Sequence, residues 1–327
     1  MSDSEQMMTA LDNRVRRRDE RRDFFKRAMG AAALGAGAFA FASKAAAQSA
    51  GELDVLNFAL NLEYLEAQFY LYAANGTGLP AAQLTGTGTQ GAVQITAGAM
   101  GQPRKVTFAD PIVSQYAQEI AADEAQHVAF LRTALGATNA VAQPALNISG
   151  GPGGAFSAAA AAAGVPNPTM FDPYANDDNF LLSAFIFEDV GVTAYKGAAR
   201  LLTDDKAGGN LENAAGILAV EAYHSGAIRT LLAQRRTQQA AAGLTVEQVV
   251  AAISNLRDAV DGPADLDQGI AEGGQTNIVP TDANGIAFSR TPRQVGNIVF
   301  LAAGATKGGF FPNGLTDDGN LGKLLAL

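Results

Sequence analysis

Both histidines of this 327-residue chain lie three positions after a glutamate, in Glu124-Ala-Gln-His127 and Glu221-Ala-Tyr-His224. On an α-helix, residues at this spacing lie on one face, so each pair can present a carboxylate and an imidazole to one metal ion. Glutamate fills 12 of the 327 positions, so chance would place it before both histidines with probability (12/327)², about one in 700. The spacing therefore favours a metal site built by two helices.

An internal repeat surrounds the two pairs. Residues 124–135 align without gaps to residues 221–232, with Glu, Ala, His, Arg, Thr and Leu at the same offsets. A weaker correspondence relates two upstream segments, each with a glutamate and a tyrosine seven positions apart: Glu63 with Tyr70, and Glu188 with Tyr195. The order along the chain is therefore Glu helix, Glu-x-x-His helix, Glu helix, Glu-x-x-His helix. Four-helix bundles that bind two iron or manganese ions use this set of side chains.

Five segments carry a resemblance to a known family: LNFALNLEYLEA at 56–67, DEAQH at 123–127, FEDVG at 187–191, IAFSRTP at 286–292 and GGFFPNG at 308–314. Through them the chain resembles the ferritin-like superfamily, and more closely its bacterial and plant members related to desiccation-response proteins. With the helical pattern, the resemblance implies an all-α fold. We expect a ferritin-like four-helix bundle with a long crossover between the second and third helices, a fifth helix and a mostly irregular C-terminal wrap.

Periodicity and capping signals predict where the helices lie. The predicted ranges are 53–73, 111–135, 177–202 with Asp177 or Asp178 as its cap, 210–242, 246–260 and a short helix at 292–301. Residues 92–96 and 105–108 form a candidate strand pair, and residues 137–176 are long enough to return along the bundle. We place the bundle in residues 48–243 and a C-terminal extension of helix and loop in residues 244–327.

The predicted metal ligands are four glutamates and two histidines: Glu63, Glu124, His127, Glu188, Glu221 and His224. Carboxylates and neutral imidazoles suit two iron ions or two manganese ions, because the carboxylates offset the charge and can bridge. On the first helix we prefer Glu63 to Glu66, because Glu63 aligns with Glu188 whereas Glu66 aligns with Gly191. Glu66 then lies beside the ligands or faces water.

Further side chains are candidates for the surroundings of the metals. The resemblance to carboxylate-bridged di-iron proteins implies that Asp123 orients His224, and the alternative is a solvated helix charge. Tyr70 and Tyr195 either hydrogen-bond to ligands or act in redox chemistry; the favoured alternative is core packing with the hydroxyl satisfied locally. We expect structural ion pairs for Arg132 and Arg229, which recur in the repeat.

Composition excludes several classes of function. After residue 47 the chain has 14 basic and 26 acidic residues, a net charge of −12. Such an acidic body is a poor partner for nucleic acid, whose affinity comes mainly from Lys and Arg on phosphates. Cysteine is absent, which excludes disulfides, iron–sulfur clusters and thiol catalysis. The expected partners are metal ions and small oxidants, and homo-oligomerisation stays open.

Residues 1–47 have the pattern of an export signal. Arg21-Arg22-Asp-Phe-Phe-Lys26 is typical of a twin-arginine signal, and an Ala- and Gly-rich apolar run from Ala28 to Ala42 follows it. The run is short for a membrane span, which needs about 20 residues. We predict cleavage after Ala47, a periplasmic mature protein and no membrane span after cleavage. The alternative is a membrane anchor by an uncleaved signal.

The sequence is consistent with two functions. The first is an exported dimetal-carboxylate protein that performs redox chemistry on iron, dioxygen or peroxide in stress protection. The second is a structural, desiccation- or stress-protective protein in which metal only stabilises the bundle. The residues leave open whether the protein is an oxidoreductase of the ferroxidase or peroxide-scavenging type.

Overall fold

Four long helices dominate the fold of the computed structural model, which describes residues 50–97, 104–241, 243–272, 274–317, 319 and 321–326. The predicted signal segment lies outside the described residues. In chain order the helices are α1 Ala50–Asn75, α2 Pro111–Leu135, α3 Ala155–Ala162, α4 Asp177–Ala199, α5 Asn210–Gln234, α6 Val246–Asp261, α7 Pro292–Val299 and α8 Leu321–Leu324. The strands are β1 Val93–Ile95, β2 Leu146–Ile148, β3 Gln239–Ala241, β4 Leu244–Thr245, β5 Ala271–Glu272 and β6 Gln275–Thr276. The predicted all-α, ferritin-like fold class is confirmed.

Side-chain capping explains where four of the helices start, namely α2, α4, α6 and α7. Asp110 accepts a hydrogen bond from the backbone N–H of Ile112 and Pro111 opens α2, as predicted. The cap of α4 is Asn176, so the prediction of Asp177 or Asp178 was wrong. Asp177 instead accepts from the backbone N–H groups of Ala109 and Asp110, at 3.0 and 2.8 Å. This contact connects the start of α4 to the start of α2.

Two other predicted elements differ from the structure. The helix predicted to end at 242 stops at Gln234, because the chain then turns into β3, which pairs with β4 in an antiparallel ribbon. The strand at 93–95 exists, but its partner is β2, in parallel register, and not residues 105–108. A glycine permits this pairing, because a Cβ on Gly91 would lie 2.0 Å from the backbone nitrogen of Ala145. The connection between α2 and α4 also contains α3, which was not predicted.

The bundle core is aromatic next to the metal-ligating positions. α1 packs along α2, and α4 packs along α5. Phe69 on α1 contacts the rings of Phe156, Phe180 and Phe187, with centroids 5.4, 5.7 and 5.6 Å away. These rings fix the spacing of α1, α3 and α4, because interiors are packed as densely as organic crystals.

The residues after α5 pack against the bundle. The capping box of Thr245 and Gln248 opens α6 as predicted, and Thr291 with Gln294 caps α7 in the same way. Asn61 in α1 exchanges hydrogen bonds with the backbone of Thr316, at 2.9 and 3.0 Å. Over the described ranges, no helix combines the length and apolarity that a membrane crossing needs.

Candidate metal centre

The four long helices bring all six predicted ligands together inside the bundle. α1 contributes Glu63, and α4 contributes Glu188; α2 contributes Glu124 and His127, and α5 contributes Glu221 and His224. The four carboxylates are at most 1% exposed, and the two imidazoles at most 8%. Four acidic side chains are rarely buried together unless a cation or a proton compensates their charge.

The ligands form two groups that share Glu124. In the first group, donor atoms of Glu63, Glu124, His127 and Glu221 lie within 4.8 Å of one another, and in the second those of Glu124, Glu188 and His224 do. Glu124 Oε2 lies 3.3 Å from His127 Nδ1, whereas Glu124 Oε1 lies 3.0 Å from His224 Nδ1. The two imidazole centroids are 6.4 Å apart. Glu124 therefore belongs to both candidate metal-binding groups and turns one oxygen toward each imidazole.

Several buried atoms in these groups have no hydrogen-bond partner among the described residues. They are Glu124 Oε1, Glu188 Oε2, both carboxylate oxygens of Glu221, and His224 Nδ1; of these, Glu124 Oε1 and His224 Nδ1 lie 3.0 Å apart as an ion pair, without hydrogen-bond geometry. Native structures rarely leave buried polar atoms unsatisfied, so each such atom requires an explanation. Carboxylate oxygens and imidazole nitrogens are suitable ligands for divalent iron or manganese. The donor set therefore fits metal ions at this position.

Burial and neighbouring charges shift the pKa values of the four carboxylates of the centre. Burial raises the pKa of Glu63 to about 7 and the pKa of Glu188 to about 8. Burial also raises the pKa of Glu221 well above its ordinary value, and nearby carboxylates such as Glu66 raise it further. Burial would raise the pKa of Glu124 too, but His127 outweighs it and holds that pKa below its ordinary value. Without metal, the carboxyl groups with raised pKa values bind protons at the positions where cations would bind.

The imidazoles act as the counter-charges of the metal-free site. Burial lowers the pKa of both, but the carboxylates outweigh burial. The Glu63 and Glu124 carboxylates raise the pKa of His127 to about 12, and Glu188 is the main cause that raises the pKa of His224 to about 10. Metal binding requires neutral imidazoles, so it must displace these protons.

Two tyrosines hydrogen-bond directly to predicted ligands, and they do so across helices. The Tyr70 hydroxyl in α1 donates to Glu188 in α4, and the Tyr195 hydroxyl in α4 donates to Glu63 in α1. The favoured prediction, packing with a locally satisfied hydroxyl, was therefore wrong. Burial, followed by the neighbouring carboxylate, raises the pKa of each phenol well above 10, which keeps both as neutral donors.

Asp123 and Glu66 complete the surroundings of the ligands. Asp123 Oδ2 lies 3.4 Å from His224 Nε2, on the ring edge opposite the one that faces Glu124. This is the placement that the resemblance implied. Glu66 is 6% exposed, so the alternative that it faces water is wrong. Burial raises its pKa well above the ordinary value, and Glu124 and Glu63 raise it further.

The two recurring arginines have different roles. Arg229 is fully buried and forms the expected ion pair, with Asp189 at 2.8 Å. Arg132 donates to the hydroxyl of Tyr64 at 2.6 Å. No carboxylate of the described residues pairs with it, so the ion pair expected for Arg132 stays a prediction. Tyr64 aligns with Asp189 in the repeat. The partner of Arg132 is therefore a phenol, whereas the partner of Arg229 is a carboxylate.

A buried network of three arginines and three aspartates connects the centre to the residues after α5. Its members are Arg229, Arg257, Arg290, Asp189, Asp261 and Asp267. Asp189 directly follows Glu188, and it accepts from Ser225, which directly follows His224, at 2.6 Å. Apart from Arg229, sequence reasoning predicted no ion pair for these residues, because their partners lie far apart along the chain.

Comparison with known proteins agrees with this geometry. Residues 51–234 match the ferritin-like domain family, and this range contains all six predicted ligands. The chain belongs to the ferritin-like domain family. It is similar to the desiccation-related protein PCC13-62 of Craterostigma plantagineum, with 30% identity over 276 residues, 81% of this chain and 83% of the relative. It is also similar to the ferritin-like catalase Nec2 of Nesocodon mauritianus, with 28% identity over 278 residues, 80% of this chain and 83% of the relative. No solved structure matches the chain significantly.

Gly191 is a sensitive position of this ferritin-like bundle. A Cβ built on Gly191 would lie 2.3 Å from Glu221 Oε2, whereas one on Gly226, in α5, would meet nothing within 4 Å. We predict that Gly191→Ala displaces the Glu221 carboxylate and lowers metal affinity by about 10- to 100-fold. Gly226→Ala is the control, and it should stabilise the protein by about 0.5–1 kcal/mol with unchanged affinity. Competition with a metallochromic chelator measures the affinities, and equal values for both variants would contradict the prediction.

Proposed function

We propose that the protein binds two iron or manganese ions and performs redox chemistry on a small oxidant, with hydrogen peroxide as the first substrate to test. The observation that carries the proposal is the pair of ligand groups that share Glu124. Two such ions, when bound, can exchange two electrons with one oxidant molecule.

The chain's own residues divide between the two positions. Glu63, Glu124, His127 and Glu221 would hold one ion, and Glu124, Glu188 and His224 would hold the other. Four carboxylates balance the four positive charges of two divalent ions, so the loaded centre is close to neutral, as a buried site requires. This assignment is supported by the unpartnered oxygens of Glu124, Glu188 and Glu221.

The neighbouring side chains would keep the ligands in place. Asp123 can accept the free N–H of His224 and so set the tautomer that leaves Nδ1 for a metal. Tyr70 and Tyr195 hold one oxygen of Glu188 and Glu63, respectively, and leave the other oxygen of each carboxylate for coordination. The buried aromatic surroundings exclude water, which strengthens all electrostatic interactions at the centre.

The test is peroxide turnover by the reconstituted protein. A relative is named a ferritin-like catalase, and disproportionation converts two molecules of hydrogen peroxide into two of water and one of dioxygen. We expect protein loaded with iron or manganese to release dioxygen from peroxide, and chelator-treated protein to release none. Loaded protein that neither consumes peroxide nor oxidises added ferrous iron would contradict the proposal.

A second candidate is a structural role in which metal only stabilises the bundle. It is favoured by the similarity to a protein named as desiccation-related and by the buried Arg–Asp network. Metal would then bind and raise the melting temperature without turnover, because anything that binds only the folded state stabilises it.

Metal-dependent stabilisation should grow with pH. The pKa values of Glu63 and Glu188 are raised to about 7 and about 8 in the metal-free fold. The fold therefore holds protons that the unfolded chain has released, and metal-free stability falls as pH rises between about 5 and 8. The raised pKa values of both histidines act in the same direction above their ordinary value of 6.5. Metal replaces these protons, so we predict a larger manganese-induced rise in melting temperature at about pH 8 than at about pH 5. A rise that is constant or larger at low pH would contradict the prediction.

Export also stays a proposal. We propose that the twin-arginine segment directs the folded protein to the periplasm, since Arg21 and Arg22 precede an apolar run and small residues. The N-terminal sequence of the protein recovered from the producing cell tests this, and a mature chain that starts at Gln48 is the expected result. A full-length chain in the cytoplasm would contradict it.

A further inference from the structure

A small apolar cavity lies beside the candidate metal centre, between α1, α4 and α7. The side chains that line it include Leu62, Glu66, Tyr195, Val299 and Phe310. Only Glu66 and Tyr195 bring polar groups to its wall, and the rest of the lining is aliphatic, aromatic or glycine. The cavity is therefore an apolar space with a polar end.

The polar end of the cavity adjoins the first ligand group. Gly191 forms part of the wall, and Glu221 lies directly behind it, since a Cβ on Gly191 would lie 2.3 Å from Glu221 Oε2. Both oxygens of Glu221 are buried and have no hydrogen-bond partner among the described residues. Tyr195, at the same end, donates to Glu63. A molecule in the cavity would thus be separated from Glu221 by Gly191 and from Glu63 by the Tyr195 phenol, and both carboxylates are proposed ligands of one ion.

The lining limits what can enter. Of the lining residues only Leu62 is partly exposed, and the others are buried, so Leu62 is the point closest to solvent. An ion would lose its hydration in such a space without gaining enough partners, which costs many kcal/mol. A small neutral molecule pays little of this cost, and Glu66 can form a hydrogen bond with it. The shape and polarity therefore select small uncharged molecules.

We infer that this cavity is the chamber in which the centre receives its oxidant, a small neutral molecule such as hydrogen peroxide or dioxygen. The inference rests on the proposed function, and it adds where the substrate binds and why charged molecules are excluded. The partly exposed Leu62 lies at the solvent end of the cavity, and Gly191 lies at the end that faces the metal centre.

A second apolar cavity supplies a matched control. It is lined by residues of α3, α4, α6 and α7, including Val249, and its lining contains neither Gly191 nor Tyr195, through which the first cavity adjoins the proposed ligands. Val249 and Val299 are alike in kind and burial, with 3% and 4% exposure, and neither is on a ligand-bearing helix. Val299 lines only the cavity beside the metal centre, and Val249 lines only the other one.

The experiment compares Val299→Phe with Val249→Phe in the full protein, using xenon and hydrogen peroxide as probes. Xenon binds in dry apolar cavities that are large enough to hold it. We expect crystals under xenon pressure to show xenon beside Gly191 in the wild type and in Val249→Phe, and none there in Val299→Phe. With metal content equal in all three proteins, we expect Val299→Phe to lower kcat/KM for peroxide by about tenfold or more. Val249→Phe should stay within about twofold of the wild type. Val299→Leu, a smaller change, should give an intermediate loss if the phenylalanine variant folds poorly.

Each outcome decides between the two proposals. Equal turnover in all variants with full metal content, or no xenon beside Gly191 in the wild type, would overturn the chamber and leave the proposed function standing. Wild-type protein that takes up metal and reacts with neither peroxide nor ferrous iron would overturn the proposed function, and the chamber with it.

Discussion

Replacing Glu124 by alanine is expected to remove metal from both halves of the centre. Glu124 belongs to both ligand groups, and its two oxygens face His127 and His224, at 3.3 and 3.0 Å. No other predicted ligand is shared, so no other single substitution should affect both ions equally. We expect metal content to fall from about two ions per chain to below about 0.2, because each position would keep an incomplete donor set. Peroxide turnover should fall by at least about 100-fold.

The same variant separates the redox role from the structural one. Glu119→Ala, on the same helix at a half-buried position outside the centre, is the control and should keep its metal. Elemental analysis, turnover and circular dichroism are measured on both proteins. Lost turnover in a folded Glu124→Ala protein supports redox chemistry, whereas loss of the fold alone supports the structural role. A variant that keeps both ions would contradict the bridging position of Glu124.

Removing the Arg290 side chain is expected to lower the free energy of unfolding by several kcal/mol. Arg290 is 1% exposed; it donates to Asp261 and Asp267 at 2.7 and 2.9 Å and to the hydroxyl of Thr193 at 3.0 Å. Arg290→Ala leaves two buried carboxylates with less compensation, and breaking a buried pair in this way costs about 3–5 kcal/mol.

An exposed arginine of the same chain supplies the comparison for this loss. Arg236 is 39% exposed, and its nearest carboxylate, on Glu247, is 3.9 Å away. Arg236→Ala should change the free energy of unfolding by less than about 1 kcal/mol. Urea denaturation of both variants measures the difference, and similar values would show that the buried network contributes little.

The network also explains why the residues after α5 belong with the metal centre. Asp189 accepts from Arg229 in α5 and Arg257 in α6, at 2.8 and 3.0 Å. The guanidinium of Arg257 also stacks over the ring of Phe185, 4.4 Å from its centroid. Because Asp189 directly follows Glu188, these contacts set the position of the α4 ligand. Deleting the residues after α5 would therefore remove Arg257 and leave the buried Asp189 carboxylate, next to the centre, with less compensation of its charge.

Local sequence patterns, together with the resemblance to the ferritin-like superfamily, predicted the fold class and the convergence of the side chains. The Glu-x-x-His spacing places two donors on one helical face, and the alternation with Glu63 and Glu188 predicts which faces meet. Capping residues such as Asp110 and Thr245 mark helix starts because their side chains satisfy free backbone N–H groups nearby in sequence. These signals are all local.

What the sequence did not predict depends on contacts between distant segments. Tyr70 and Glu188 are 118 positions apart, and Tyr195 and Glu63 are 132 apart. The repeat pairs each tyrosine with the glutamate of its own helix, so the crossed arrangement could not be read from it. The sequence also left two alternatives open for Glu66, beside the ligands or facing water, because its alignment with Gly191 says nothing about the space that α4 leaves on that side.

The metal content of the wild-type protein is the direct test of the proposed dimetal centre. Purified protein is stripped with chelator, reloaded with ferrous iron or manganese under anaerobic conditions, freed of excess metal and measured by elemental analysis. We predict about two ions per chain, held by the two ligand groups that share Glu124. Fewer than about 0.2 ions per chain in folded protein would contradict it.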